Sequence, residues 1–148
     1  AVGYNYRLTS LQAALGVAQL EQLDRFIAAK QAIADRYADA LRSLPGLTAM
    51  TIPEGVAPTH WLYTVLLPEG TTVEARRAVI RRLIQEGVGA RPLWHPVHAL
   101  PPYRDCQALP IRRAIELHAR AVSLPSSVGL TEDAQQRCID ALREALRA

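Results

Sequence analysis

One apolar stripe dominates the first third of the chain. From Thr9 onward, Leu11, Leu15, Ala18, Phe26, Ile27, Ile33, Tyr37 and Leu41 mark a helical stripe that runs to Leu44, where Pro45-Gly46 stops the pattern. Thr9 with Gln12 three residues later is a capping box, which fixes where the helix starts. Unbroken, that helix would be ~54 Å long at ~1.5 Å per residue, more than a compact small domain needs. Either it kinks near Leu23-Asp24 or it is a rod connecting two domains. The connector reading assigns residues 1–44 to the tail of a larger domain with its connecting helix, and residues 45–148 to a small C-terminal domain.

The remainder alternates. After a Pro/Gly-rich loop from Pro45 to Pro58, His60-Trp61-Leu62-Tyr63-Thr64-Val65-Leu66-Leu67 is aromatic and β-branched enough to predict a strand. Thr71 and Glu74 form a second capping box, opening a helix that runs to Glu86 and closes at Gly87. Val88 to Leu93 predicts a second strand, and residues 94–110, with four prolines, predict a loop. A helix follows with Pro110 in its first turn and ends near Ala121. Val122 to Pro125 is a short extended piece, and Thr131 caps a last helix to about Leu146. The expected fold is α/β, an α+β-like small domain in which helices cover a small sheet, joined to a long connecting helix.

Composition removes several functions. Of 17 basic residues, 16 are Arg and only Lys30 is Lys, a skew unlike the mixed Arg/Lys stripe of a phosphate-backbone binder. Arg76-Arg77, Arg81-Arg82 and Arg112-Arg113 stand beside Glu and Asp and predict solvated helix faces with i,i+4 partners. No nucleic acid is expected as a partner, and no membrane either, since no apolar run is long enough for a membrane span. Cys106 and Cys138 are expected as free thiols in a reducing cytoplasm. His95 and His98, with Cys106 and His118 downstream, lack the CxxC or HExxH spacing that a zinc site uses, so no metal is expected. No glycine-rich phosphate loop and no nucleophile elbow is present.

Two stretches ask for more than a structural role. The opening Gly3-Tyr4-Asn5-Tyr6-Arg7-Leu8 crowds tyrosines, an asparagine and an arginine before the helix cap, where a turn needs only the Gly and Asn. The loop Arg91-Pro92-Leu93-Trp94-His95-Pro96-Val97-His98 holds a guanidinium, an indole and two imidazoles on a proline-pinned segment at a strand end, a common position for binding groups.

These stretches resemble the pyridoxal-phosphate-dependent nucleotide-sugar aminotransferases of the DegT/StrS type. The family's G-Y-N-x-R-(M/L)-(S/T)-x-(L/V)-Q-A-A-(L/I)-G signature stands here as GYNYRLTSLQAALG, residues 3–16, followed by Ala18 to Asp24 as its A-Q-L-E-x-L-D continuation. Residues 91–98 are similar to the R-P-L-W-K-P-M-H loop of the bacillosamine-type branch, and Ser123 to Thr131 to its C-L-P-S-G-x-x-L-T element.

The resemblance implies the C-terminal part of a fold-type-I aminotransferase whose large domain, with the cofactor-bearing lysine, lies outside these residues. It implies pyridoxal 5'-phosphate as cofactor and, for the intact protein, amino transfer from glutamate to a keto-sugar nucleotide, with a UDP-linked 4-keto-6-deoxy amino sugar expected, in cell-surface polysaccharide or glycan synthesis. A homodimer with active sites shared across the interface is implied too. Asn5 matches the asparagine that reaches the cofactor phosphate of the other subunit, with Tyr6 and Arg7 beside it. Arg91, Trp94, His95 and His98 are expected at the nucleotide-sugar entrance. His95 departs from the pattern, which has Lys there, and exchanges a permanent cation for an imidazole. Lys30 is expected to face outward from its helix, unsuited to a Schiff base, so the isolated chain is expected to be inactive. The alternative is a non-catalytic module for dimerisation or sugar-nucleotide binding on the same scaffold.

Overall fold

The Thr9 capping box forms as predicted. The Thr9 hydroxyl accepts from the Gln12 amide at 3.3 Å, and Gln12 Oε1 accepts from the Thr9 amide at 2.9 Å. The computed structural model describes residues 6–147. In it the helix runs as α1, Ser10–Leu20, and restarts as α2, Leu23–Leu41, so the single rod breaks at Glu21–Gln22. Gln22 leaves helical geometry at φ −107° and ψ 2°, while its side-chain amide donates to the Ala18 carbonyl at 3.2 Å. The two halves meet different surroundings. α2 buries Ile33, Ala34, Tyr37 and Leu41, whereas α1 buries nothing within this chain and leaves Leu11 and Leu15 exposed.

Past α2 the chain turns at Gly46, where φ is +83° and an added Cβ would stand 2.9 Å from Pro68 Cγ, so only glycine fits. There follow β1 (Thr48–Ala49), β2 (Tyr63–Leu66), α3 (Val73–Gln85), β3 (Arg91–Pro92), two 3-10 turns (Val97–Ala99 and Pro101–Tyr103), α4 (Arg112–Arg120), β4 (Ala121–Leu124) and α5 (Glu132–Arg147). The sheet order is β1-β2-β4-β3, and every neighbouring pair is antiparallel. Register sets Val65 opposite Val122 and Tyr63 opposite Leu124. These side chains join Tyr37 and Leu41 of α2, Ile80 and Leu83 of α3, and Ile139 and Leu142 of α5 in one core.

Several boundaries differ from the sequence reading for local reasons. Thr72, not Thr71, caps α3, accepting from the Ala75 amide at 3.1 Å, while the Thr71 hydroxyl donates to the Pro68 carbonyl at 2.6 Å. β3 shrinks to Arg91–Pro92 because Val88 and Ala90 make tight turns, donating to the carbonyls of Leu83 and Val88. Pro92 lies on a strand at the sheet's edge, where a missing N–H costs no ladder bond. α4 starts at Arg112 rather than at Pro110. β1 falls inside the segment expected to be loop. Both cysteines are free, Cys138 buried and Cys106 exposed.

Lys30 does not point outward. Its Nζ donates to the Trp61 carbonyl at 2.9 Å and to the Ser126 carbonyl, tying α2 to the approach to β2 and the exit of β4. Burial lowers its pKa, the mark of an ammonium partly withdrawn from water. Lys30→Met removes both ties and strands the Ser126 carbonyl, while the Trp61 carbonyl keeps the Ser126 hydroxyl as a donor at 3.3 Å; the change should cost about 2 kcal/mol and lower Tm by roughly 6 °C. A thermal melt of the chain checks this, and an unchanged Tm contradicts it.

Candidate functional site

The segment before β2 is bent by His60, whose φ of +47° is the one left-handed non-glycine backbone among the described residues. An imidazole side chain in that region costs on the order of 1 kcal/mol and needs its surroundings to hold it. His60 is 8% exposed, which supplies that hold. The bend carries Trp61 to the surface, where its ring meets Trp94 edge-on, centroids 5.5 Å apart at 89°. Both indoles stay largely exposed, at 65% and 69%. Two large aromatics left in water beside one another form a platform for another flat or apolar group.

Beside that platform opens a cavity of about 570 Å³. Arg91 reaches its wall from β3, whose register with β4 sets it opposite Ser123. Lys30, Trp61, Ser126 and Arg137 also line it, with Glu86 as the one carboxylate among the described residues. Because Lys30 is spent on carbonyls, Arg91 and Arg137 are the cations left to meet a ligand. Exposed Arg91 offers a planar fork suited to a phosphate or carboxylate.

The structure divides the residues that the loop motif groups together. Arg91 lines this cavity and Trp94 packs on its Trp61, but His95 and His98 line a different cavity, against α3 and α4. The His95 ring lies 4.8 Å from that of His118. Tyr6 and Arg7 are exposed residues leading into α1, and Asn5 lies outside the described residues. Sequence reading missed Trp61, Lys30, Ser126 and Arg137. The adjacent His60-Trp61 pair, read there only as the start of a strand, was the signal for the first of them.

His118 has a pKa held below 6.5, chiefly by burial, then by the nearby Arg76 guanidinium and by His95. The folded state therefore binds fewer protons here than the unfolded chain does. The stability this gives is present above the unfolded value and is lost as pH falls through the folded one. Melting temperature should fall on going from about pH 7 to about pH 5, and His118→Gln should flatten that slope. An identical slope in the variant would assign the acid loss to other groups.

The family profile of the DegT/DnrJ/EryC1/StrS aminotransferases matches residues 1–143. Among curated proteins, the GDP-perosamine synthase of Caulobacter vibrioides is 36% identical over 146 residues, covering 98% of this chain and 39% of that protein. EpsN of Bacillus subtilis, described as a putative pyridoxal phosphate-dependent aminotransferase, is 34% identical over 149 residues, covering 95% of this chain and 37% of its own. The crystal structure of DesV from S. venezuelae superposes with a TM-score of 0.83 at 29% identity, across 100% of this chain and 39% of that one. Helicobacter pylori PseC shares the fold at a TM-score of 0.86 and 20% identity, covering 99% of this chain and 40% of that one. The chain thus spans about two fifths of the length of the relatives it matches. With the profile running through nearly every described element, from before α1 into α5, the chain belongs to the DegT/DnrJ/EryC1/StrS aminotransferase family.

Proposed function

We propose that this chain is the C-terminal portion of a pyridoxal-phosphate-dependent enzyme, cytoplasmic and homodimeric, that transfers an amino group from glutamate to a keto-sugar nucleotide for cell-surface polysaccharide synthesis. The observation that carries the reading is Arg91 on an edge strand beside the crossed Trp61–Trp94 pair, in a chain whose relatives bear names of sugar amination. A diphosphate suits the guanidinium of Arg91, and a base or sugar ring suits the indoles. No helix among the described residues is long and apolar enough to cross a membrane, which fits a substrate met in water.

The described residues fit the cofactor only in part. Lys30, the chain's single lysine, is held by two backbone carbonyls and is no candidate for a covalent link. Any hold this chain has on the cofactor comes from the opening segment, where Asn5, Tyr6 and Arg7 supply an amide, a phenol and a guanidinium for a phosphate. We assign them that role across a subunit interface. Bound there, pyridoxal phosphate supplies the electron sink that amino transfer needs. Arg91 binds and orients the sugar nucleotide, while the indoles exclude water from one side of it.

Relatives named GDP-perosamine synthase, 36 to 37% identical, support a GDP-linked sugar in place of the UDP-linked one that the loop motif suggests. The test supplies the full-length protein with pyridoxal phosphate, glutamate and GDP-, dTDP- or UDP-linked 4-keto sugars and measures 2-oxoglutarate. Release is expected to be fastest with the GDP-linked sugar. Equal or faster turnover of the UDP sugar overturns the nucleotide assignment, and no release with any overturns the aminotransferase reading.

A further inference from the structure

α3 carries more cation than its neighbourhood neutralises. Arg76, Arg77, Arg81 and Arg82 lie on it with Glu74 in its first turn and Glu86 at its end. The expected i,i+4 pairing is not what forms. Among the described residues none of these four arginines makes an ion pair. Arg82 donates instead to the Ala145 carbonyl at 3.1 Å, and Arg76 to the His118 carbonyl.

Arg76, Arg77 and Arg81 line a second cavity of about 560 Å³, faced by His95 and His98 of the loop and by His118 of α4. No carboxylate among the described residues lines it. Arg76 is only 3% exposed, and its Nε has no hydrogen-bond partner among the described residues. Burial, and next the adjacent Arg77, pull the Arg76 guanidinium below its ordinary pKa, with Glu74 opposing. A buried guanidinium with an unused donor, in a wall that holds two more arginines and no carboxylate among the described residues, is an arrangement that an anion stabilises. The rest of the wall is apolar, including Ile80, Ile115 and Pro92, so a bare inorganic ion would leave much of it uncovered.

We propose that this cavity is a binding site for an organic phosphate, separate from the Arg91 cavity. Its phosphoryl oxygens lie on Arg76, Arg77 and Arg81 with His95 and His98 as further donors, and its apolar body rests on Ile115 and Pro92. Guanidinium forks match phosphoryl oxygens two at a time, and each such charge-assisted bond is stronger than a neutral one. The site stands on this cavity alone and does not depend on the amino-transfer reading.

Phenyl phosphate and inorganic phosphate are the probes, titrated calorimetrically into the full-length protein. Phenyl phosphate should bind and inorganic phosphate should bind more weakly. The double variant Arg77→Gln/Arg81→Gln, at two exposed positions, should weaken phenyl phosphate by about tenfold or more with Tm unchanged, whereas Arg91→Gln should not. Unaltered affinity in the double variant overturns the proposal. So does loss in Arg91→Gln alone, which puts the probe in the other cavity. Equal affinity for the two phosphates overturns the role of the apolar wall. A protein that turns over no keto sugar yet shows the Arg77/Arg81 dependence retains this site while losing the function proposed above.

Discussion

Replacing Leu83 with alanine should cost about 3 kcal/mol, on the order of a hundredfold in the folding equilibrium, and lower Tm by about 10 °C. Leu83 is 0% exposed in the last turn of α3, within the core that α2, α3 and α5 build against the sheet. The helix stays; what disappears is side-chain volume that the surroundings cannot refill. Those surroundings are already tied: Arg82, one residue before, donates to the last turn of α5, and Val88 closes the helix end by donating to the Leu83 carbonyl. A site so constrained collapses little, which keeps the cost within the range of about 2–5 kcal/mol for buried leucine-to-alanine changes and well above that of a surface truncation. Leu15→Ala is the control. Leu15 is 60% exposed on α1, so the same chemistry there should cost under about 0.5 kcal/mol in the 148-residue chain. Urea unfolding of both variants decides it, and equal losses would mean that α1 is packed when the chain is in solution.

What could be read from sequence was what is local. The Thr9 box and the Thr131 cap, whose hydroxyl accepts from the Ala134 amide at 3.2 Å, are decided within three residues, and both stand where the sequence puts them. The α3 cap was misplaced by one residue because adjacent threonines compete and Pro68 claims the first. Over α1 and α2 the sequence leaves open a kink near Leu23-Asp24 or a connecting rod, and the helix breaks just before that point, at Glu21–Gln22; only packing tells the two halves apart, with one against the core and the other not. Lys30 shows the same limit. Its partners are backbone carbonyls 31 and 96 residues away, and helical spacing carries no information about them. The loop motif of residues 91–98 exposes a further limit. A contiguous signature is silent on which wall each side chain joins, and the chain on either side of Trp94 delivers Arg91 and His95 to separate cavities. The α3 arginines split the usual inference: Arg77, Arg81 and Arg82 are exposed as a solvated face requires, whereas Arg76 is buried, and Arg76 and Arg82 take carbonyl partners in place of carboxylates.

Arg91→Gln is the sharpest functional consequence of that division. Its backbone register with Ser123 depends on β3 and not on the side chain, and the residue is exposed, so the variant should fold as the parent does. Glutamine keeps a donor but loses the charge and the fork. With Arg91 holding the diphosphate as proposed, removing that charge-assisted bond is worth about 2 kcal/mol, hence a KM for the proposed keto-sugar nucleotide raised roughly 30-fold. Because the diphosphate is remote from the carbon that reacts, the interaction is the same in ground and transition states. kcat should then move by less than about threefold, and KM for glutamate should not move. Trp94→Ala should raise the same KM by about tenfold through the lost stacking surface, with Trp61 left to hold part of it. The comparison that discriminates is with Arg77→Gln/Arg81→Gln. If the double variant raises the nucleotide KM while Arg91→Gln does not, the substrate diphosphate belongs on α3, and His95 and His98 are its donors in the place the loop motif assigned to them.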